Sequence, residues 1–157
     1  MEQYYKCTPS NRVKLITFFF VLLILLMSSL IFIENISYDA VFVLFVIVVL
    51  FTLTFIKTPR KIYLSDKSMI LYFYLSRKIF ILEQIHEISR IYAVGGIRRL
   101  GSNGVLGYIG VLDGEKRFFT YFNHERNMIK LKYNDRYYII SCDNPDALIG
   151  SIKNIQS

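Results

Sequence analysis

Two unbroken apolar runs occupy the first third of the chain, and short segments of alternating character fill the rest. In residues 15–33, 15 of 19 positions are Leu, Ile, Phe or Val, and in 40–56 the count is 14 of 17. At the rise of a helix these lengths are roughly 28 and 26 Å, against roughly 30 Å for the hydrocarbon core of a bilayer. Both runs predict transmembrane helices, the second at the short end of the range. The first is longer than the apolar core of a cleaved signal, and no A-x-A-like cleavage site follows it. The intervening residues, 34–39, suffice only for the turn of a helical hairpin, which places both chain ends on one side.

Beyond a short basic linker, 57–61, the pattern changes to brief stretches rich in Ile, Tyr, Phe and Val bounded by turn residues, which is a strand signature. Segments 62–65 and 69–75 flank Asp66-Lys67, 78–82 follows, and Ile85, Ile88 and Ile91 then recur every third residue. That spacing suits a helical turn or an irregular strand, with 90–94 the regular part. Segments 105–112 and 117–122 flank Asp113-Gly114-Glu115, a strong hairpin signal, and 128–132 and 136–141 flank Tyr133-Asn134-Asp135. Asp143 or Asn144 then caps a last helix with Pro145 in its first turn and an apolar stripe of Leu148, Ile149, Ile152 and Ile155. The expected class is α+β: a transmembrane hairpin, then six or seven antiparallel strands in residues 62–157, closed by one C-terminal helix.

Composition sharpens this division. Residues 15–56 hold two acids and no Lys or Arg, so the other 115 residues carry 29 charges, the usual density of a soluble domain. Lys6, Arg12 and Lys14 (in an N-terminal arm, 1–14) and Lys57, Arg60, Lys61 and Lys67 flank the two runs, while the connecting turn has no basic residue. The positive-inside rule then places both termini and the C-terminal domain in the cytoplasm, at the inner membrane. Cys7 and Cys142 are expected as free thiols in a reducing compartment.

The stretch Ile97-Arg98-Arg99-Leu100-Gly101-Ser102-Asn103-Gly104-Val105-Leu106-Gly107-Tyr108-Ile109-Gly110, followed by Tyr138-Ile139-Ile140-Ser141-Cys142-Asp143-Asn144-Pro145-Asp146-Ala147-Leu148, resembles the bacterial pleckstrin-homology-like (PH-like) domains. Among them the chain is similar to a membrane-anchored group with two helices ahead of one such domain. The resemblance implies a strongly bent, seven-stranded antiparallel sheet or barrel plugged by a helix, with no enzymatic activity and no settled ligand. In eukaryotic PH domains that bind phosphoinositides, the loop joining the first two strands is basic. Here that loop is Ser65-Asp66-Lys67-Ser68, so this ligand does not carry over.

Six of the eight glycines, Gly95, Gly96, Gly101, Gly104, Gly107 and Gly110, fall within 16 residues. Neither G-x-G-x-x-G nor G-x-x-x-x-G-K-[ST] is present, so the cluster reads as bulges and close backbone approaches rather than a phosphate cradle. Arg98, Arg99, Lys116 and Arg117 are the candidate residues for an anion or an acidic partner. Ser141-Cys142-Asp143 and His124-Glu125 supply nucleophile and base types without the spacing of a catalytic site. His86 and His124 are solitary, so no metal or other cofactor is expected. No recognition motif accompanies the basic charge, which argues against nucleic acid. The expected function is a non-enzymatic module that binds or organises a protein partner, or a second copy of itself, at the cytoplasmic face. The rivals are recognition of anionic lipid head groups and an accessory subunit of an envelope-stress or toxin-resistance system.

Overall fold

A computed structural model describes residues 2–33, 38–94, 97–114 and 116–156, without the side chains of 30–33 and 97–100. The chain opens with strand β1 (Gln3–Lys6), then the helices α1 (Asn11–Ile33) and α2 (Tyr38–Ile56). Strands β2 (Lys61–Leu64), β3 (Ser68–Tyr72) and β4 (Arg77–Ile81) follow, then a single 3-10 turn (Leu82–Gln84) and β5 (Ile85–Ile91). The remaining strands are β6 (Ile97–Gly101), β7 (Tyr108–Asp113), β8 (Arg117–Phe122), β9 (Met128–Tyr133) and β10 (Arg136–Ser141), and α3 (Pro145–Gln156) ends the chain.

The class is α+β, as the pattern predicts, and the two apolar helices are long enough to cross a membrane. Only 6% and 0% of their apolar windows are buried, which separates them from the core helices of a soluble domain. Phe20 stacks on Phe51 at 5.7 Å between centroids, so the two helices lie side by side. Ser28, Ser29, Thr52 and Thr54 donate to carbonyls of their own helices, for example Ser28 to Ile24 and Thr52 to Val48, so these hydroxyls are satisfied without water.

The strands form two sheets, ordered β1-β2-β3-β4 and β5-β9-β10-β8-β7-β6. This corrects the expectation of six or seven antiparallel strands in a barrel. Among the described residues there are ten strands, nine of them from Lys61 onward, the two sheets are not closed on themselves, and β8 and β10 run parallel. The parallel pair arises because β10 folds back from β9 into the gap between β9 and β8. Four consecutive β10 residues, Tyr138, Ile139, Ile140 and Ser141, are buried, because one face of the strand packs in the core with Tyr138 and Ile140 and the other, with Ile139, under the first turn of α1, while β9 and β8 occupy its two edges.

The two sheets face each other across one core. Ile62, Leu64, Met69, Leu71 and Phe80 meet Ile88, Ile129, Leu131, Tyr138 and Ile140, and Leu148 and Ile152 of α3 close it from one end. Asn144 caps α3 through its side chain, whose oxygen accepts from the Ala147 amide at 3.4 Å, while Asp143 is engaged with Thr8. The threefold Ile spacing also has an explanation. A bulge between Ile85 and Glu87 lets Ile85 and Ile88 both face this core, while Ile91 turns to a second cluster on the other face.

That second cluster ties the helices to the domain. Val13, 1% exposed, packs with Tyr108, Phe122, Met128 and Ile139, so the first turn of α1 belongs to the domain core. The N-terminal arm is no loose tail: β1 pairs with β2 from Gln3 opposite Leu64 to Lys6 opposite Lys61. The basic linker is equally held. Buried Asn123 donates through Nδ2 to the carbonyls of Cys7 (2.8 Å) and Pro59 (3.2 Å), accepts from the Ser141 hydroxyl, and gives its own carbonyl to the Ser10 amide. One side chain thus clamps the chain entering α1, the chain leaving α2 and the central strand β10.

Candidate partner-binding pole

The strand directions sort the charged residues into two ends. Along β7, Tyr108 lies beside the helices and Asp113 at the opposite end; along β8, Arg117 is remote and Phe122 returns. A six-residue strand spans roughly 20 Å. Lys116 and Arg117 therefore sit about a strand length from the helix-bearing end. By register, Arg98 of β6 pairs with Leu112, placing it and Arg99 toward the same remote end. Their side chains lie outside the described residues, as do Gly95 and Gly96.

At this pole an aromatic is ringed by cations. Lys116 donates from Nζ to the Tyr137 hydroxyl at 3.0 Å and sits 4.6 Å from its ring centroid; Lys130 and Lys132 each stand 6.0 Å from the same ring. Phe118 lies 5.7 Å from Tyr137, and Arg136 rests over Phe119 at 5.8 Å. A groove of about 510 Å³ runs between Lys116, Arg117, Phe119, Asp135, Arg136 and Tyr137. Two acids are paired here: Asp113 accepts from Arg117 Nε at 3.1 Å, and Glu87 bridges Lys130 at 2.5 Å. The Lys130 hydrogen bond, then the charges of Lys130, Lys116 and Lys132, hold the Glu87 carboxyl below its usual range. Around Tyr137, five described cations (Lys116, Arg117, Lys130, Lys132 and Arg136) stand with three acids (Glu87, Asp113 and Asp135), so this patch is electropositive, with an aromatic platform suited to a negatively charged surface.

The glycines do structural work at the other end. Gly101, Gly104, Gly107 and Gly110 all have positive φ, and so does Leu106. Their loop lies against α1: a Cβ on Gly104 would stand 2.8 Å from Ile16 Cδ1, and the Leu106 amide donates to Thr17 Oγ1 at 2.8 Å. Thr58 also donates to the Leu106 carbonyl. Lys6, Arg12, Lys14, Lys57, Arg60 and Lys61 surround this end, at the close of β1, the first turn of α1 and the exit from α2.

The residues with nucleophile and base chemistry are committed elsewhere. The Ser141 hydroxyl donates to Asn123 Oδ1, and His124 Nδ1 accepts from the Arg126 amide. For Glu125, burial pushes the carboxyl up, but hydrogen bonds from Ser10, its own amide and Tyr108, with the Arg12 charge, bring it below its usual range. Burial, then the charges of Cys142 and Asp143, push the Cys7 thiol well up; burial likewise pushes Cys142 up to about 12. Thiolate is the reactive form. Iodoacetamide at pH 7.5 is therefore expected to leave both cysteines unmodified in the folded protein and to alkylate both after denaturation, as read by intact mass. Alkylation of either in the folded state would contradict their burial.

Sequence reasoning missed Asn123, the four-residue β1, and the contribution of Lys130, Lys132, Arg136 and Tyr137 to the pole. The alternation within β9 and β10 was the available signal for the last group. The chain matches no family model, and no curated protein and no solved structure is similar to it. Fold and surface define the class: an α+β protein with a helical hairpin of membrane-crossing length, packed through its neck against a two-sheet domain.

Proposed function

We propose that this is a non-enzymatic, membrane-anchored PH-like module whose domain stands at the cytoplasmic face of the inner membrane and binds an acidic protein partner on its remote pole. Two facing sheets plugged by a C-terminal helix support the PH-like part; the extra strands and the parallel β8–β10 pair are departures from the family pattern. One observation carries the function: Lys116, Arg117, Lys130, Lys132, Arg136 and Tyr137 gather at the end opposite the helices. With the helices in a bilayer, that pole stands roughly 20 Å above the head groups, beyond the Debye length of about 8 Å at physiological salt. Attraction to the leaflet is screened at that distance. A partner in the cytoplasm, or an acidic face of a second copy, is within reach.

The test uses the full chain in mild detergent, since a fragment beginning at residue 60 lacks β1 and Val13. Crosslinking and affinity capture of the wild type are expected to recover a defined partner or a homo-oligomer, released by about 0.5 M salt as screening shortens. The K116E/R117E/R136E variant is expected to reduce that recovery at least tenfold. Undiminished recovery by the variant would exclude the pole as the binding surface.

A further inference from the structure

A second cationic surface lies at the helix-bearing end. A cleft of about 600 Å³ lies in the neck between the strand leading into α1 and the strand leaving α2. Lys6, Arg60 and Lys61 line it with Tyr72, Tyr74 and Thr8. Among the described residues no acid lines it; Asp143 is engaged with Thr8, accepting from its amide and hydroxyl at 2.8 and 2.7 Å, and Glu2 with the Tyr63 hydroxyl. The cations are spread over aromatic faces. Lys61 stands 5.3 and 5.2 Å from the ring centroids of Tyr4 and Tyr72, and Arg60 rests 4.6 Å over Tyr74.

Tyr74 fixes where this cleft lies along the helix axis. Its ring stacks on Phe55, in the last turn of α2, at 4.2 Å. The next residue, Leu75, is 78% exposed at the tip of the β3–β4 hairpin, between Tyr74 and the exposed Ser76 and Arg77. A bare Leu beside a Tyr that packs on the end of an apolar helix, with three cations alongside, is the pattern of an interfacial anchor: ring at head-group level, aliphatic tip below, positive charge at the phosphates.

We propose that the neck cleft holds the phosphate of an anionic glycerophospholipid between Lys6, Arg60 and Lys61, and that the Tyr74-Leu75 tip enters the acyl boundary beside α2. This inference rests on reading α1 and α2 as bilayer spans and is independent of what the remote pole binds. The domain is thereby pinned to the leaflet at two points, through the hairpin tip beside α2 and through the glycine loop beside α1, so the remote pole has a fixed height and orientation.

The chain contains no Trp, so a single introduced indole reports its own surroundings. Full-length L75W, L50W (within α2) and I81W (the remote end of β4) are placed in nanodiscs of phosphatidylcholine and phosphatidylglycerol with brominated acyl chains. Quenching of L75W at least threefold above that of I81W is expected, with L50W quenched as well. If L50W is quenched and L75W behaves as I81W, the hairpin anchor is wrong while the spans stand; if L50W is not quenched, the spans and the anchor both fall. Native mass spectrometry of the full chain from detergent then tests the cleft. Phosphatidylglycerol is expected to bind at least tenfold more tightly than phosphatidylcholine, with the preference lost in K6Q/R60Q/K61Q and kept in K116Q/R117Q/R136Q. No preference, or equal loss in both variants, would overturn the head-group site.

Discussion

Replacing Asn123 with Leu is expected to cost more stability than any other single polar substitution in the domain. The two side chains are similar in size, so the change removes hydrogen bonds without opening a cavity. Left behind are the buried carbonyls of Cys7 and Pro59 and the donor of the Ser141 hydroxyl, which keeps only the bond it accepts from the backbone amide of residue 123. An unsatisfied buried polar group costs about 1–3 kcal/mol, so about 3–5 kcal/mol in all is expected after partial relaxation. For a domain of this size that corresponds to a fall in melting temperature of roughly 10 °C or more. The buried thiols provide the readout: heating full-length protein in detergent with a thiol-reactive fluorophore reports the opening of the neck, where Cys7 lies. A shift under 3 °C would show that the clamp is dispensable. N123D adds a sign that packing alone does not predict. Its ionised carboxylate would face two carbonyl oxygens, so its folded-state pKa lies above the unfolded value near 3.9. The folded state then binds the proton more tightly, and N123D should lose stability as pH rises from about 4 toward the folded pKa.

The elements legible in the sequence are those set by local pattern. The two apolar runs define α1 and α2, although α1 begins one turn earlier than the run because Ser10 caps it through a hydrogen bond to the Val13 amide. The Asp113-Gly114 turn and the Tyr133-Asn134-Asp135 turn mark the β7–β8 and β9–β10 hairpins, and Asn134 adopts the positive φ such a turn requires. What escaped depends on partners distant in sequence. Strand β1 is four residues with polar ends, and its pairing partner lies more than 50 positions away across two helices. Hairpin logic makes β8, β9 and β10 a meander; only the two-sided burial of β10 reveals why it sits between the others. Of the candidate site, the turn residues Lys116 and Arg117 were visible as charges beside a hairpin. Which end of the domain they occupy was not, because that depends on how many strands separate them from α1. Asn123 carries no signature, since one Asn in a loop reads as an ordinary turn residue until the chain segments it clamps are brought together.

Gly101→Ala is the second large effect, and a local one. Gly101 pairs with Gly110 at the end of the β6–β7 ladder with φ of +120°, and a Cβ there would stand 1.8 Å from the Ile109 carbonyl oxygen and 2.8 Å from the Gly110 Cα. Backbone atoms cannot yield as a flexible side chain does, and a non-glycine residue held in such a conformation costs about 1–3 kcal/mol before the clash is counted. Among the described residues β6 pairs with β7 alone, so letting it go sacrifices a single ladder at a sheet edge. The outcome expected is therefore detachment of β6 rather than unfolding of the domain. Hydrogen exchange should show at least a hundredfold loss of protection across residues 98–101 and the facing amides of β7, with protection in β9 and β10 unchanged. G104A meets only the end of Ile16, a side chain that can shift, and should instead raise exchange where the loop rests on α1. G150A, with nothing within 4 Å in helix α3, is the control, expected to be stabilising by about 0.5–1 kcal/mol. Because β6 carries Arg98 and Arg99, its release also separates two roles for the pole. Partner capture that survives G101A would assign binding to the Lys116, Arg136 and Tyr137 groove alone. Capture lost together with β6 protection would make that edge strand part of the surface the partner reads.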